Sequence, residues 1–589
     1  MSTSHPDLEQ LIPADLPDGR ELVRAAKERA AGIPVGRARY VEMHGVKSDR
    51  EYKERCRADG TITTYINLGY KTWDETRAAL DEIVAAGKKR HFTLDRVSLI
   101  PDRRMGLPPG LREQALAETG IMMYTEEDWT GAARDTPVMP IWNDHNVGSP
   151  AATVNTEALL RAGFGYIGSL AQHQYGYPLW DDDAAQMAEC VQAVAMIAAK
   201  REDGVVLESY VEDGFCASFH DLATSLGWCM FHRYVAEDLI GAAHSQSFGS
   251  TFADPLRKQA HGLAMDAINV NRVPPSFTHG DTNSFGVEDD FDRNAVIVAT
   301  DVMYPIAREL KHPTGGAVHA TPVSEASRIP TVEELIESLV IASEAEARAR
   351  ACPGIVDWAP IYEMRDRIVA GGRRFLDNLL RGLAEIGVDT KDPLQLLLAT
   401  RRLGASTIEE LFNAGEPDAS YPRGFAPVEP TDTLVRLLAA KDQVLRGLRR
   451  DGELPDLSGI SVVAASADIH EYGLFVLVEA LEACGAKVIP LGTSVHSPEI
   501  AKVSVETAAD AVAVSTYNGM ALSLGRQLRE ELERRGVSPA VYLGGRLNED
   551  LEEGEATDVR PMLRAEGINP CDSVEEMARG LRTELAARA

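Results

Sequence analysis

At 589 residues the chain is too long for a single core, so two or three domains are expected. Its formal net charge of −30 leaves no basic surplus to displace the counterions of a nucleic acid, which excludes that class of partner. No run approaches the roughly eighteen uncharged apolar residues of a membrane span, which argues against a membrane partner. The seven cysteines are scattered without a C-x-x-C pair, as suits a reducing compartment. The N-terminus, MSTSHPDLEQLIPADLPDGRELV, lacks a basic segment followed by an apolar one, and a cytoplasmic location is expected.

Residues 1–60 are polar and helical in pattern, an arm that packs on something else. From 61 to 345, short apolar runs alternate with helix-length amphipathic segments. The strand candidates are TITTYINL at 61, FTLDRVSLI at 92, PVMPIWN at 137, FGYIGSL at 164, VVLESYV at 205, AVIVAT at 295 and AVHAT at 317. Such alternation predicts parallel strands with crossover helices, and the length suits an (α/β)8 TIM-like barrel. Residues 346–415 continue as a helical extension, and 416–456 combine a Pro-, Gly- and Asp-rich linker with a lead-in helix. From 457 to 589 the strand candidates GISVVAAS, AKVIPLG, ADAVAVST and AVYLGG each precede a helix-length segment. This predicts a flavodoxin-like doubly wound sheet with its ligand beyond the carboxyl ends of the strands.

Three motifs fall at those predicted ends. Asp468-Ile469-His470-Glu471-Tyr472-Gly473 is followed after 41 residues by Ser515-Thr516-Tyr517, and after 26 more by Gly544-Gly545. The pattern D-x-H-x-x-G, S-x-Y, G-G resembles the cobalamin-binding domain shared by adenosylcobalamin-dependent mutases and corrinoid methyltransferases, with Tyr517 where that family has leucine. The resemblance implies that His470 is the lower axial ligand of cobalt. A neutral imidazole suits that metal, and Asp468 can accept from its second nitrogen to fix the tautomer. Gly473, Gly544 and Gly545 would leave room for the displaced nucleotide tail, and the Ser515 hydroxyl would hydrogen-bond it.

The domain serves both families, so the first half must choose between them. A barrel of this length favours a mutase, which encloses substrate and corrin against water. The barrel resembles the catalytic subunit of glutamate mutase (methylaspartate mutase), here joined to its cobalamin-binding partner. Its best anchor is Glu325-Ala326-Ser327-Arg328-Ile329-Pro330-Thr331, similar to a segment whose Glu contacts the adenosyl ribose. The resemblance carries that role to Glu325, although Thr321 stands where the family has a lysine. A family Arg-His-Gly that grips a substrate carboxylate matches Asp144-His145-Asn146, and a family Glu with a tyrosine six residues later matches Ser169 and Tyr175.

Asp144, His145 and Tyr175 are therefore the catalytic candidates. Arg103, Arg104, His173 and Tyr177, near predicted strand ends, are the substrate-binding ones. Losing an arginine and a glutamate from an amino-acid clamp argues that the substrate differs from glutamate. His244-Ser245-Gln246-Ser247 and Thr278-His279-Gly280-Asp281 are weaker candidates. A zinc site at His145 finds no H-E-x-x-H spacing.

The implied protein is an adenosylcobalamin-dependent isomerase acting on a small carboxylate or amino-acid-like substrate, expected as a homodimer. A corrinoid-dependent methyltransferase is the alternative, and its helical cap would correspond to the helices before the second region. A cobalamin-dependent sensor, a third reading, sits poorly with the long barrel-like half and the lack of a basic element.

Overall fold

The computed structural model describes residues 8–249, 254–278, 290–325, 328–419, 421–449, 453–468, 471–517, 519–552 and 555–588. It divides into two compact units, Met1–Asp432 and Thr433–Ala589.

Among its described residues unit 1 carries seven parallel strands: β1 (Thr63–Leu68), β2 (Arg96–Leu99), β3 (Met139–Ile141), β4 (Tyr166–Ile167), β5 (Val206–Tyr210), β6 (His244–Ser247) and β7 (Ala317–His319). One sheet runs β3-β2-β1-β7 and another β4-β5-β6. A parallel bridge from Trp142 to Ile167 links the end of β3 to β4, and a second from Phe277 to Ala317 adds another strand position outside β7. Among the described residues no pairing joins β6 to Phe277. A helix follows each strand position, at Trp73–Arg90, Glu126–Arg134, Ala152–Ala162, Asp183–Ala199, Leu222–Arg233, Pro255–Ile268, Phe291–Lys311 and Val332–Ala351.

The two-residue side-chain period divides each strand between two environments. Ile66, Leu68, Val97, Leu99 and Leu207 join the large core beneath the helices. Ile141, Tyr166, Val206, Ala243 and Val273 form a separate small cluster. The same alternation turns Tyr65, Asn67 and Ser98 away from the helices. Below them lies a charged layer in which the fully buried Arg96 and Asp49 pair at 2.7 Å. There Lys53 Nζ donates to the carbonyls of Pro275 at 2.9 Å and Ser276 at 2.6 Å.

Two strand expectations are corrected. AVIVAT at 295 lies inside the helix Phe291–Lys311, where the buried residues Asn294, Val298, Asp301, Val302, Pro305 and Ile306 follow a helical period. A short β-branched run cannot by itself distinguish a buried strand from one turn of a buried helix. The sixth strand is His244–Ser247, four polar residues that are all buried. Ser245 donates to the Glu208 carboxylate of β5, and Ser247 Oγ does so at 2.6 Å, so polar partners take the place of the expected apolar signal.

The segment 8–60 adds Leu11, Val23, Ala26, Tyr40 and Cys56 to the unit-1 core. The long helix Trp358–Glu385 packs against the helices after β5 and β6. A short antiparallel hairpin of β8 (Glu416–Pro417) and β9 (Phe425–Ala426) precedes the division.

Unit 2 contains a parallel sheet of β10 (Ser461–Ser466), β11 (Lys487–Pro490), β12 (Ala511–Thr516), β13 (Ala540–Gly545) and, after a hairpin of β14 (Asn548–Glu552) and β15 (Glu555–Asp558), β16 (Asn569–Pro570). The order β11-β10-β12-β13-β16 is that of a flavodoxin-like sheet. Strands buried on both faces read as continuous apolar runs. Val462, Ala464, Ala513 and Tyr542 pack on one side with Leu474, Leu481 and Met577. Val463, Ala465, Val512, Val514 and Leu543 pack on the other with Ile500, Leu522, Leu528 and Leu563.

Candidate functional site

In unit 2 the strand order reverses between β10 and β12, so a crevice is expected beyond their carboxyl ends. Asp468 follows β10 and Tyr517 follows β12, and the Tyr517 N–H donates to the Asp468 carboxylate across this point. Ser466 Oγ donates to the same carboxylate at 3.4 Å, and the Asp468 carbonyl accepts from Ser494 N–H at 2.8 Å. Asp468 is therefore fixed from three strand ends. His470 lies outside the described residues.

The small residues of the motifs face one another. A Cβ on Gly473, in the first turn of the helix Glu471–Ala483, would stand 2.8 Å from Ser515 Oγ. Ser515 pairs with Gly544 and Thr516 with Gly545 across β12 and β13. Gly545 has φ +93°, and a Cβ there would lie 2.3 Å from the Thr516 carbonyl oxygen. At Gly544 a Cβ would meet nothing closer than 3.8 Å, which leaves bare backbone at the strand end. Tyr517 is 43% exposed, and the Arg546 guanidinium stands 5.5 Å from its ring centroid. The result is a cradle of exposed backbone, one hydroxyl and an exposed aromatic edge. It suits a long polar ligand laid over the strand ends, and this donor and space pattern fits the nucleotide tail of a corrinoid.

In unit 1 a cavity of about 170 Å³ opens at the carboxyl ends of the strands. It is lined by Tyr65, Asn67, Ser98, Ile100, Asn143, Asp144, Tyr210, Asp213 and Phe277. Gln172 Nε2 donates to Asp144 Oδ1 at 2.7 Å and to Asp213 Oδ2 at 3.0 Å. Its Oε1 accepts the His145 N–H at 2.8 Å, which holds the chain where His145 takes φ +49°. Burial pushes the Asp144 carboxyl up, and burial with the charge of Asp144 pushes Asp213 well above the carboxylate range. His145 Nδ1 lies 3.2 Å from Tyr177 OH. Burial, reinforced by the Arg103 charge, lowers the His145 imidazole to about 3 and keeps it neutral.

The other residues singled out from sequence take varied places. Tyr175 has its ring 6.4 Å from His145, and burial with the nearby Asp213 and Asp144 charges raises its phenol far above the ordinary value. Arg103 Nη2 donates to the Gly176 carbonyl at 2.6 Å and sits over the Tyr177 ring at 5.8 Å. Arg104 is held by Asp102 through two hydrogen bonds of 3.0 and 2.9 Å. His173 is packed in the core, stacked on Trp228 and edge-on to His232, with Nδ1 3.0 Å from the Leu170 carbonyl. Ser169 Oγ accepts the Tyr210 N–H at 3.0 Å. Glu325 is half-buried in a turn, its N–H donating to the Pro322 carbonyl at 3.3 Å. Thr321 Oγ1 lies 3.2 Å from His319 Nδ1, and the His319 ring stacks on Tyr65. Of the segment Thr278-His279-Gly280-Asp281, only Thr278 is among the described residues.

Sequence reasoning brought forward Asp144 and His145, with Asn143 closing the strand run PVMPIWN before them, but missed Asn67, Ser98, Gln172, Tyr210, Asp213 and Phe277. Asn67 and Ser98 carried a signal, since each is a polar residue at the end of an apolar strand run. Gln172 and Asp213 carried none, because they sit in short 3-10 turns whose direction depends on packing.

Residues 460–567 match the family model of the B12 binding domain. Over 94 residues, 15% of the chain, it is 35% identical to the glutamate mutase sigma subunit 1 of Haloarcula marismortui, spanning 62% of that relative's length. Over 124 residues, 20% of the chain, it is 32% identical to the glutamate mutase sigma subunit of Carboxydothermus hydrogenoformans, spanning 89% of it. A solved cobalamin-binding protein from Desulfitobacterium hafniense DCB-2 is 20% identical, covering 25% of this chain and 65% of that one. Its TM-score of 0.18 is too low to bear on the fold, which rests on the strand order.

Proposed function

Because the chain belongs, through residues 460–567, to the B12-binding family that includes glutamate mutase sigma subunits, we propose that it is an adenosylcobalamin-dependent isomerase. In this reading unit 1 is a closed (α/β)8 catalytic barrel and unit 2 holds the cofactor. The observation that carries it is the alignment of Asp468, Gly473–Ser515 and Gly544–Gly545 at three neighbouring strand ends around the switch point. His470 would hold the cobalt through one ring nitrogen, and Asp468 would accept from the other. Gly473, Gly544 and Gly545 would admit the nucleotide tail and Ser515 and Tyr517 would flank it, while the family resemblance would give Glu325 the adenosyl ribose.

When bound, adenosylcobalamin supplies a carbon radical by homolysis of its cobalt–carbon bond. The chain's own residues position the substrate and exclude water. Asp144 and Asp213, locked by Gln172, hold polar groups in a fixed register on the cavity wall, and the neutral His145 against Tyr177 stands behind them. Tyr65, Tyr210 and Phe277 form an aromatic wall of that space.

Cobalt EPR of the protein made with 15N-histidine and loaded with cob(II)alamin tests the ligand assignment. Nitrogen coupling from the protein is expected, and it should vanish in His470→Ala; coupling that persists there sinks the assignment. Isomerisation of candidate carboxylic and amino acids, followed by NMR with adenosylcobalamin, tests the reaction. Methyl transfer from methylcobalamin to a thiol, with no isomerisation, would establish the methyltransferase reading instead.

A further inference from the structure

The unit-1 cavity is unusual in charge for a site that is meant to take a carboxylate. Among the described residues that line it there is no lysine, arginine or histidine. Two half-buried carboxyl groups, Asp144 and Asp213, stand together on the wall and share one Gln172 amide. Beside them Asn143, 3% exposed, has an Oδ1 with no hydrogen-bond partner among the described residues. An unsatisfied buried acceptor is costly, and its natural complement is a donor brought by a ligand.

The remaining walls are aromatic. Tyr65 and Phe277 stack at 4.6 Å between centroids, and the Tyr210 ring lies 5.5 Å from Phe277. Ring faces attract cations and tolerate the methylenes next to them. The Arg103 guanidinium, which sits over the Tyr177 ring, is committed elsewhere, donating to the Gly176 carbonyl and lying 3.9 Å from Glu118. Metal ligation lacks a donor set, since no group of three or more His, Cys, Asp or Glu side chains converges among the described residues.

We infer that this cavity binds the primary ammonium group of the substrate, seated on Asp144 and Asp213 with Asn143 Oδ1 as a third acceptor. The inference rests on the isomerase reading and sharpens it: the substrate enters by its amine end, and a simple dicarboxylate is not accepted. Three acceptors match the three N–H donors of an ammonium, and the aromatic walls cover the adjoining carbons. In the empty cavity, burial and mutual repulsion keep a proton on the carboxyl pair. An arriving ammonium replaces it, so binding at neutral pH releases that proton.

Isothermal titration of the full chain, with and without adenosylcobalamin, tests this with 1,4-diaminobutane and glutarate as probes in two buffers of different ionisation enthalpy. Diaminobutane should bind with release of up to one proton, glutarate should not bind, and Asp213→Asn should weaken the amine at least tenfold and abolish the release. Binding of glutarate alone, binding of neither probe, or amine binding without proton release each overturns the inference. Should Asp213→Asn fail to fold, the two probes on the unaltered chain still decide. Adenosylcobalamin binding, followed by absorbance on the same samples, separates the two readings. Its failure removes the isomerase and leaves a positive amine result standing, whereas amine failure with the cofactor bound removes only this inference.

Discussion

Gly473→Ala separates space for the ligand from stability of the fold. The residue lies in the first turn of the helix Glu471–Ala483, where alanine is favoured over glycine by up to about 1 kcal/mol. The added Cβ would stand 2.8 Å from Ser515 Oγ, the end of a side chain that can rotate, with Ser515 Cβ at 3.6 Å. Turning the hydroxyl costs roughly as much as the helix gains, so the melting temperature of the full chain should stay within a few degrees. The methyl group nevertheless occupies the notch through which the nucleotide tail is proposed to pass. Overpacking a tight contact costs about 1–3 kcal/mol, or roughly five- to 150-fold in affinity. Equilibrium titration with adenosylcobalamin, followed by absorbance beside a thermal melt, reads both quantities. Unchanged affinity with an unchanged melt would refute the path assigned to the tail, and a collapsed melt would refute the claim that Ser515 yields.

Gly545→Ala should behave in the opposite way. Its φ of +93° and the Thr516 carbonyl 2.3 Å from the new Cβ give no room for relaxation, and a loss of about 2–4 kcal/mol is expected in chemical denaturation of the full chain. A change below about 0.5 kcal/mol would contradict the strand geometry. Asp49→Ala leaves the fully buried Arg96 without its 2.7 Å partner and should cost about 3–5 kcal/mol, read from the urea midpoint. His173 has an imidazole lowered to about 3 by burial, so the unfolded chain takes up a proton below about 6.5 that the folded chain refuses. Stability is thus lost as pH falls from about 6.5 toward 3, and His173→Phe should remove about 1.4 kcal/mol of the loss between about pH 7.5 and 5.5. Equal pH dependence in both proteins would show that the ring is not held neutral.

Unit 2 was legible because three of its strands, β10, β12 and β13, are buried on both faces. SVVAAS, AVAVST and AVYLGG are continuous apolar runs that end in the residues of the motifs. The fifth strand, Asn569–Pro570, is too short to leave a pattern. Unit 1 was legible only in outline. Its sixth strand is polar because Ser245 and Ser247 serve Glu208 rather than a greasy core, and AVIVAT was hidden inside a helix whose other turns supply its period.

The sequence by itself determined the cofactor family and four strands of the doubly wound domain that carries it, because motif spacing in such a sheet follows from strand and helix lengths along the chain. Tertiary structure alone decided the chemistry of the cavity in unit 1. Asp144, Gln172 and Asp213 come from loops after three different strands, and only the packing of those loops makes them share a hydrogen bond. Charge in a cavity depends on which side chains converge and on how much water burial removes, and neither quantity is local in sequence.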